Sequence, residues 1–171
     1  MGGYVAFEFV HLYPARVRAL VLAGTRAPAD NEQEKEGRRQ QVKQMLADGM
    51  DGIANGSLSR LLCGKTLAEK PEVVARVREM IQRASPNGSA ASQLGMAERR
   101  DYSEELAGIN VPTLVIVGRD DSIRPVADAE FMQAAIANSR LEIIADAAHM
   151  TNMEQPLVFN QALLDFARSI H

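Results

Sequence analysis

Val111-Pro112-Thr113-Leu114-Val115-Ile116-Val117-Gly118 runs directly into Arg119-Asp120-Asp121-Ser122-Ile123-Arg124-Pro125, and this stretch decides the fold. Its first half is a short, β-branched, continuously apolar run that stops at a glycine, the pattern of a strand buried on both faces of a parallel sheet. Its second half places two carboxylates in the turn beyond the strand's carboxyl end, where open α/β sheets assemble their chemistry. Pro125 fits the first turn of a helix predicted to reach about Ile136, because its missing N–H would be unpaired there anyway. Downstream, Leu141-Glu142-Ile143-Ile144-Ala145 reads as another short strand and Asp146-Ala147-Ala148-His149 as the turn after it. An acid and a histidine are therefore expected at the carboxyl ends of neighbouring parallel strands.

Upstream, residues 2–12 are expected to form a helix ended by Pro14, and residues 17–23 a strand. From about Asp30 to about Leu106 the pattern is helical, with no strand-like run. Gly37 to Ala47, Ser57 to Leu62, Pro71 to Gln82 and Gly88 to Ala97 are the predicted helices. Asp48-Gly49, Asn55-Gly56 and Ser85-Pro86-Asn87-Gly88 are the turns between them. A last helix from about Pro156 repeats Phe159, Leu163, Phe166 and Ile170 at helical spacing, which gives one apolar face. The whole predicts an α/β chain with about three parallel strands. It divides into residues 1–29 (first helix and strand), 30–106 (helical insertion) and 107–171 (the rest of the sheet and its helices).

The order acid before histidine, with Met1-Gly2-Gly3 opening a helix, resembles the α/β-hydrolase family. In that family a G-x-S-x-G elbow lifts the nucleophile out of the sheet on a turn that only small residues allow to close. Gly118 to Pro125 is similar to the family's G-x-x-D-x-x-x-P loop, with Asp121 the fourth residue from Gly118, and Asp146 to His149 resembles the turn carrying the catalytic histidine. No carboxylate is available after the preceding strand, which ends Ala23-Gly24-Thr25. On this resemblance Met1 and Gly2 follow a nucleophile expected immediately before Met1, and the Met1 backbone N–H is an oxyanion-hole donor.

The resemblance implies the C-terminal part of an α/β-hydrolase fold, with residues 30–106 in the place of the mobile cap. This insertion, with Gly24-Thr25-Arg26-Ala27 before it and Gly95-Met96-Ala97-Glu98-Arg99 near its end, looks like the cap of bacterial carboxylester and lactone hydrolases related to 3-oxoadipate enol-lactonases. The implied activity is acyl transfer on a small-molecule ester or lactone, with Asp121 and His149 catalytic and no metal or organic cofactor. The strands before the elbow, and the His-Gly-type loop that gives the second oxyanion donor, have no counterpart in the 171 residues. This chain alone is therefore expected to be inactive. Haloalkane dehalogenases, with an aspartate nucleophile, proline iminopeptidases and C–C bond hydrolases share the layout. A non-catalytic interaction fragment is the remaining alternative.

Other residues read as structural. Asp120 is a turn carboxylate, and His11, near a helix end, complements terminal carbonyls. Cys63, the single cysteine, is a small buried apolar residue and excludes an intramolecular disulfide. Glu32 to Arg39 mixes signs, with Glu34 and Arg38 four apart, and reads as a solvated helix face. The 171 residues are 46% hydrophobic and 24% charged with a formal net charge of -3, a composition for one globular domain without a basic nucleic-acid footprint. No apolar run of about 18 residues suggests a membrane span and no leader is visible, so a cytoplasmic location is the expectation.

Overall fold

The computed structural model describes residues 1–170. Its centre is a three-stranded parallel sheet in the order β1 (Leu20–Ala23), β2 (Thr113–Gly118), β3 (Ser139–Ile144). Ala23 is in register with Ile116, and Gly118 with Ile144, so the three carboxyl ends lie close to one level. All of β2 is buried, as its unbroken apolar run requires. Alternation along that strand separates two cores. Val115 and Val117 face a cluster with Phe7 of α1 (Gly2–Leu12) and Met132 of α7 (Val126–Ala135). Leu114 and Ile116 face α9 (Pro156–Ser169), where Phe159, Leu163 and Phe166 form the predicted apolar face, with Ile170 extended just beyond the helix end.

Between β1 and β2 the chain forms α2 (Glu32–Asp48), α3 (Met50–Leu61), α4 (Gly64–Glu69), α5 (Pro71–Gln82) and α6 (Pro86–Ala97). The short α8 (Thr151–Glu154) follows the third strand. Three local expectations are corrected. Helix α2 starts at Glu32 rather than Gly37, because Asn31 and Glu34 close a reciprocal capping box. Asn55-Gly56, expected to be a turn, lies inside α3, where Met50, Ala54 and Leu58 bury one face and Asn55 accepts a hydrogen bond from Arg78 of α5. That packing outweighs the cost of about 1 kcal/mol for a mid-helix glycine. Helix α4, absent from the sequence reading, is capped by the Cys63 thiol, which accepts from the Thr66 N–H.

Among the described residues no helix is long and apolar enough to cross a membrane. Among the described residues strand β1 pairs only with β2. Its other edge borders an apolar groove of about 790 Å³ lined by Val5, Phe9, Val17 and Leu20, with Ile170 from the chain's end.

Candidate active site

The loop after β2 and the loop after β3 meet over the sheet's carboxyl end. Gly118 makes this approach possible, since a Cβ there would overlap the carbonyls of Ala147 and Ala148. Across the same contact Asp120 donates its backbone N–H to the Ala147 carbonyl at 3.0 Å. The two adjacent aspartates are thereby separated. Asp120 is exposed, whereas the Asp121 side chain is fully buried and its Oδ2 lies 2.8 Å from Nδ1 of His149.

The other oxygen of Asp121, Oδ1, accepts the backbone N–H groups of Ile123 and Arg124, both at 2.8 Å. With one oxygen held by two donors and the other on the imidazole, the carboxylate has a single usable orientation. A neutral imidazole facing that carboxylate keeps its proton on Nδ1 and leaves Nε2 as an acceptor. Among the described residues no hydrogen bond engages Nε2. Gly24, with φ +53°, turns the chain away from β1 beneath the ring, where a Cβ would come within 3.4 Å of the imidazole.

His149 opens on a cavity of about 510 Å³ that Met1 also lines. Met1 is the N-cap of α1, its carbonyl accepting the N–H of Tyr4 at 2.9 Å. The cavity wall carries three guanidinium groups, those of Arg38, Arg60 and Arg124, against the carboxylates of Asp30 and Glu34. Those carboxylates are already engaged. Asp30, buried beneath the cavity, binds Arg26 at 2.8 Å, Arg99 at 2.6 Å and Arg38, and Glu34 binds Arg26 at 2.7 Å. Burial alone would raise the Asp30 pKa, but the hydrogen bonds from Arg38 and Arg99 outweigh it and hold the carboxyl well below its ordinary value. Arg124 is set by the Tyr4 hydroxyl, which accepts from its Nη2 at 2.5 Å. Among the described residues no group of three or more His, Cys, Asp and Glu side chains could hold a metal ion.

The strand-acid-strand-histidine arrangement coincides with a family match: the model of the α/β hydrolase fold fits residues 1–156. The chain belongs to this family. Within it, this α/β-hydrolase chain is 31% identical over 163 residues to 3-oxoadipate enol-lactonase 2 of Acinetobacter baylyi, an alignment covering 95% of the chain and 59% of that protein. Among solved structures it is similar to a thermophilic esterase from Thermogutta terrifontis with malate bound, at 41% identity and a TM-score of 0.96, covering 99% of this chain and 62% of that one. The enol-lactonase from Burkholderia xenovorans superposes with a TM-score of 0.89 at 25% identity, covering 99% of this chain and 63% of that one. The chain thus spans about three fifths of the length of such relatives.

The structure brings His149 and Met1 to one cavity, with Asp121 buried behind the histidine. It reassigns three side chains read as bland. His11 does not cap α1 but bridges Glu105, at 2.7 Å from Nδ1, and Arg100, at 2.8 Å from Nε2. Glu34 and Arg38 do not pair with each other; each turns inward, to Arg26 and Asp30. Sequence reasoning missed Asp30, Arg124 and Glu154. Glu154 is completely buried and accepts backbone N–H groups from Ala148 and Cys63.

Proposed function

We propose that this chain supplies the acid and the base of a serine hydrolase acting on carboxylic esters or lactones. The 2.8 Å contact between Asp121 and the His149 imidazole, with Nε2 left to the cavity, carries the reading. In the proposed mechanism a serine hydroxyl gives its proton to Nε2 as its oxygen attacks the carbonyl carbon. Asp121 holds the imidazole tautomer and stabilises the imidazolium. The Met1 N–H donates to the oxyanion that develops. Collapse expels the alcohol, which takes the proton from Nε2, and water repeats the sequence to release the acid.

The serine is proposed to be joined directly to Met1 in a longer polypeptide. The Met1-Gly2-Gly3 opening, the greater length of the relatives and the unpaired edge of β1 support this. Helices α2 to α6 are read as the cap over the cavity. The guanidinium groups of Arg60 and Arg124, which meet no carboxylate among the described residues, favour a substrate that itself bears a carboxylate, consistent with relatives named for 3-oxoadipate enol-lactone. An aspartate in the serine's place would instead make the protein a dehalogenase.

Hydrolysis of a neutral and a carboxylated 4-nitrophenyl ester checks the proposal, comparing the 171-residue chain with the polypeptide extended by its own upstream coding sequence. The extended form is expected to show saturable turnover that is lost in His149→Ala. Its kcat/KM should favour the carboxylated ester roughly ten- to a hundredfold, the size of one charge-assisted hydrogen bond, with the preference shrinking as salt is added. The 171-residue chain should show none. Saturable turnover by that chain, abolished by His149→Ala, would place the nucleophile within it and overturn the reading.

A further inference from the structure

We infer that Glu154 is a positioning residue through which the helical insertion holds His149 in place, a role that rests on reading His149 as the base. Its carboxylate is 0% exposed, and its two oxygens serve two different parts of the chain. Oε1 accepts the N–H of Ala148 at 2.7 Å, and Oε2 accepts the N–H of Cys63 at 2.7 Å. Ala148 immediately precedes His149, while Cys63 lies between α3 and α4. On the other flank of His149, Met150 donates its N–H to the Leu61 carbonyl at 3.1 Å. The residues on both sides of the histidine are therefore tied to residues 61–63, Ala148 through Glu154 and Met150 directly. Met150 and Met153 pack against the Leu58, Leu62 and Val77 cluster of the same insertion, and Lys70 Nζ binds the Glu154 carbonyl at 2.5 Å.

Only a carboxylate fits this position. Two backbone donors converge on one side chain, and a carboxylate accepts from both without carrying a donor of its own, whereas an amide presents one oxygen and one N–H₂. The paired charge-assisted bonds offset the cost of burying the charge. The consequence for the site is geometric. The imidazole meets Asp121 at 2.8 Å only if residues 148–150 stay in place, and a shift of about 1 Å is enough to spoil a catalytic arrangement. Movement of residues 61–63 is transmitted to the histidine through both ties, so the insertion's position sets the imidazole's.

The test reads His149 directly by NMR in the 171-residue chain, through the Nδ1 proton shared with Asp121 and its exchange with water. Glu154→Gln keeps the side chain's shape but turns an N–H₂ toward one of the two donors. Cys63→Pro removes the donor on the insertion's side together with the thiol cap of α4, so Cys63→Ala, which loses the cap but keeps the N–H, is its control and is expected to leave the Nδ1 proton unchanged; φ of Cys63 is -69° and Leu62 is extended, so proline fits the backbone. Leu58→Ala, which opens a cavity in the same packing, controls for lost stability. Both Glu154→Gln and Cys63→Pro are expected to speed exchange of the Nδ1 proton at least tenfold, while Leu58→Ala lowers the denaturation midpoint and leaves that proton unchanged. If Glu154→Gln does not fold, Cys63→Pro decides. An unchanged proton in Cys63→Pro, or an equal change in Leu58→Ala, would show that Glu154 serves stability only. No turnover is required, so the outcome is independent of where the nucleophile lies.

Discussion

Asp121→Asn, in the polypeptide that carries the nucleophile, is expected to lower kcat by about four orders of magnitude, the loss seen when a triad carboxylate becomes an amide. The reason lies in the loop. Oδ1 of Asp121 is held by the N–H groups of Ile123 and Arg124, so an asparagine must keep its carbonyl oxygen there and turn its N–H₂ toward His149. A donor facing Nδ1 forces the imidazole proton onto Nε2, where it can no longer receive the serine proton. Asp120→Asn is expected to cost less than threefold, because Asp120 is exposed and its tie to the histidine loop is made by its backbone N–H. Steady-state kinetics of the two variants side by side check this. Equal losses, or the reverse order, would move the acid to Asp120.

Asp30→Asn is expected to destabilise the chain by about 3–5 kcal/mol, since removing one partner of a buried ion cluster leaves the others uncompensated. Asp30 is the shared partner of Arg26, Arg38 and Arg99, and its segment is where the chain leaves the sheet for the insertion. The return segment is tied to the same place: Ala29 donates to the Asp101 carboxylate at 3.0 Å, and Arg99 donates to the Pro28 carbonyl at 2.6 Å. Loss of Asp30 should therefore loosen both crossings at once. The pH dependence has a definite sign. Because the folded pKa is lowered, the stabilisation is fully present above the unfolded value of about 3.9 and is lost as pH falls toward the folded one. Urea denaturation of parent and variant should show a constant gap from pH 5 to 8 that narrows below about pH 4. A gap under 1 kcal/mol at pH 7, or one that widens in acid, would contradict this account.

The pairing of Asp121 with His149 was legible because its signals are local. A buried strand announces itself by an apolar run ending at Gly118, and the carboxylate follows three residues later. The apolar face of α9 was legible for the same reason. The features that hold the site were not. Glu154 and Cys63 are 91 residues apart, and Asp30 and Arg99 are 69 apart, so no window of sequence contains either pair. The reading of Glu34 and Arg38 as part of a solvated helix face misled because each found a partner across the fold. Asn55-Gly56 misled in the same way, its turn chemistry overridden by packing of α3 on α5.

Covalent labelling with a fluorophosphonate probe, followed by peptide mapping of the upstream-extended polypeptide, tests the acid-base account most directly. The probe reacts with a serine only when a base activates it. The account predicts one labelled residue, a serine joined to Met1, with labelling abolished in His149→Ala. A label on Ser57 or Ser122, which line the same cavity as His149, or a label that survives His149→Ala, would contradict it.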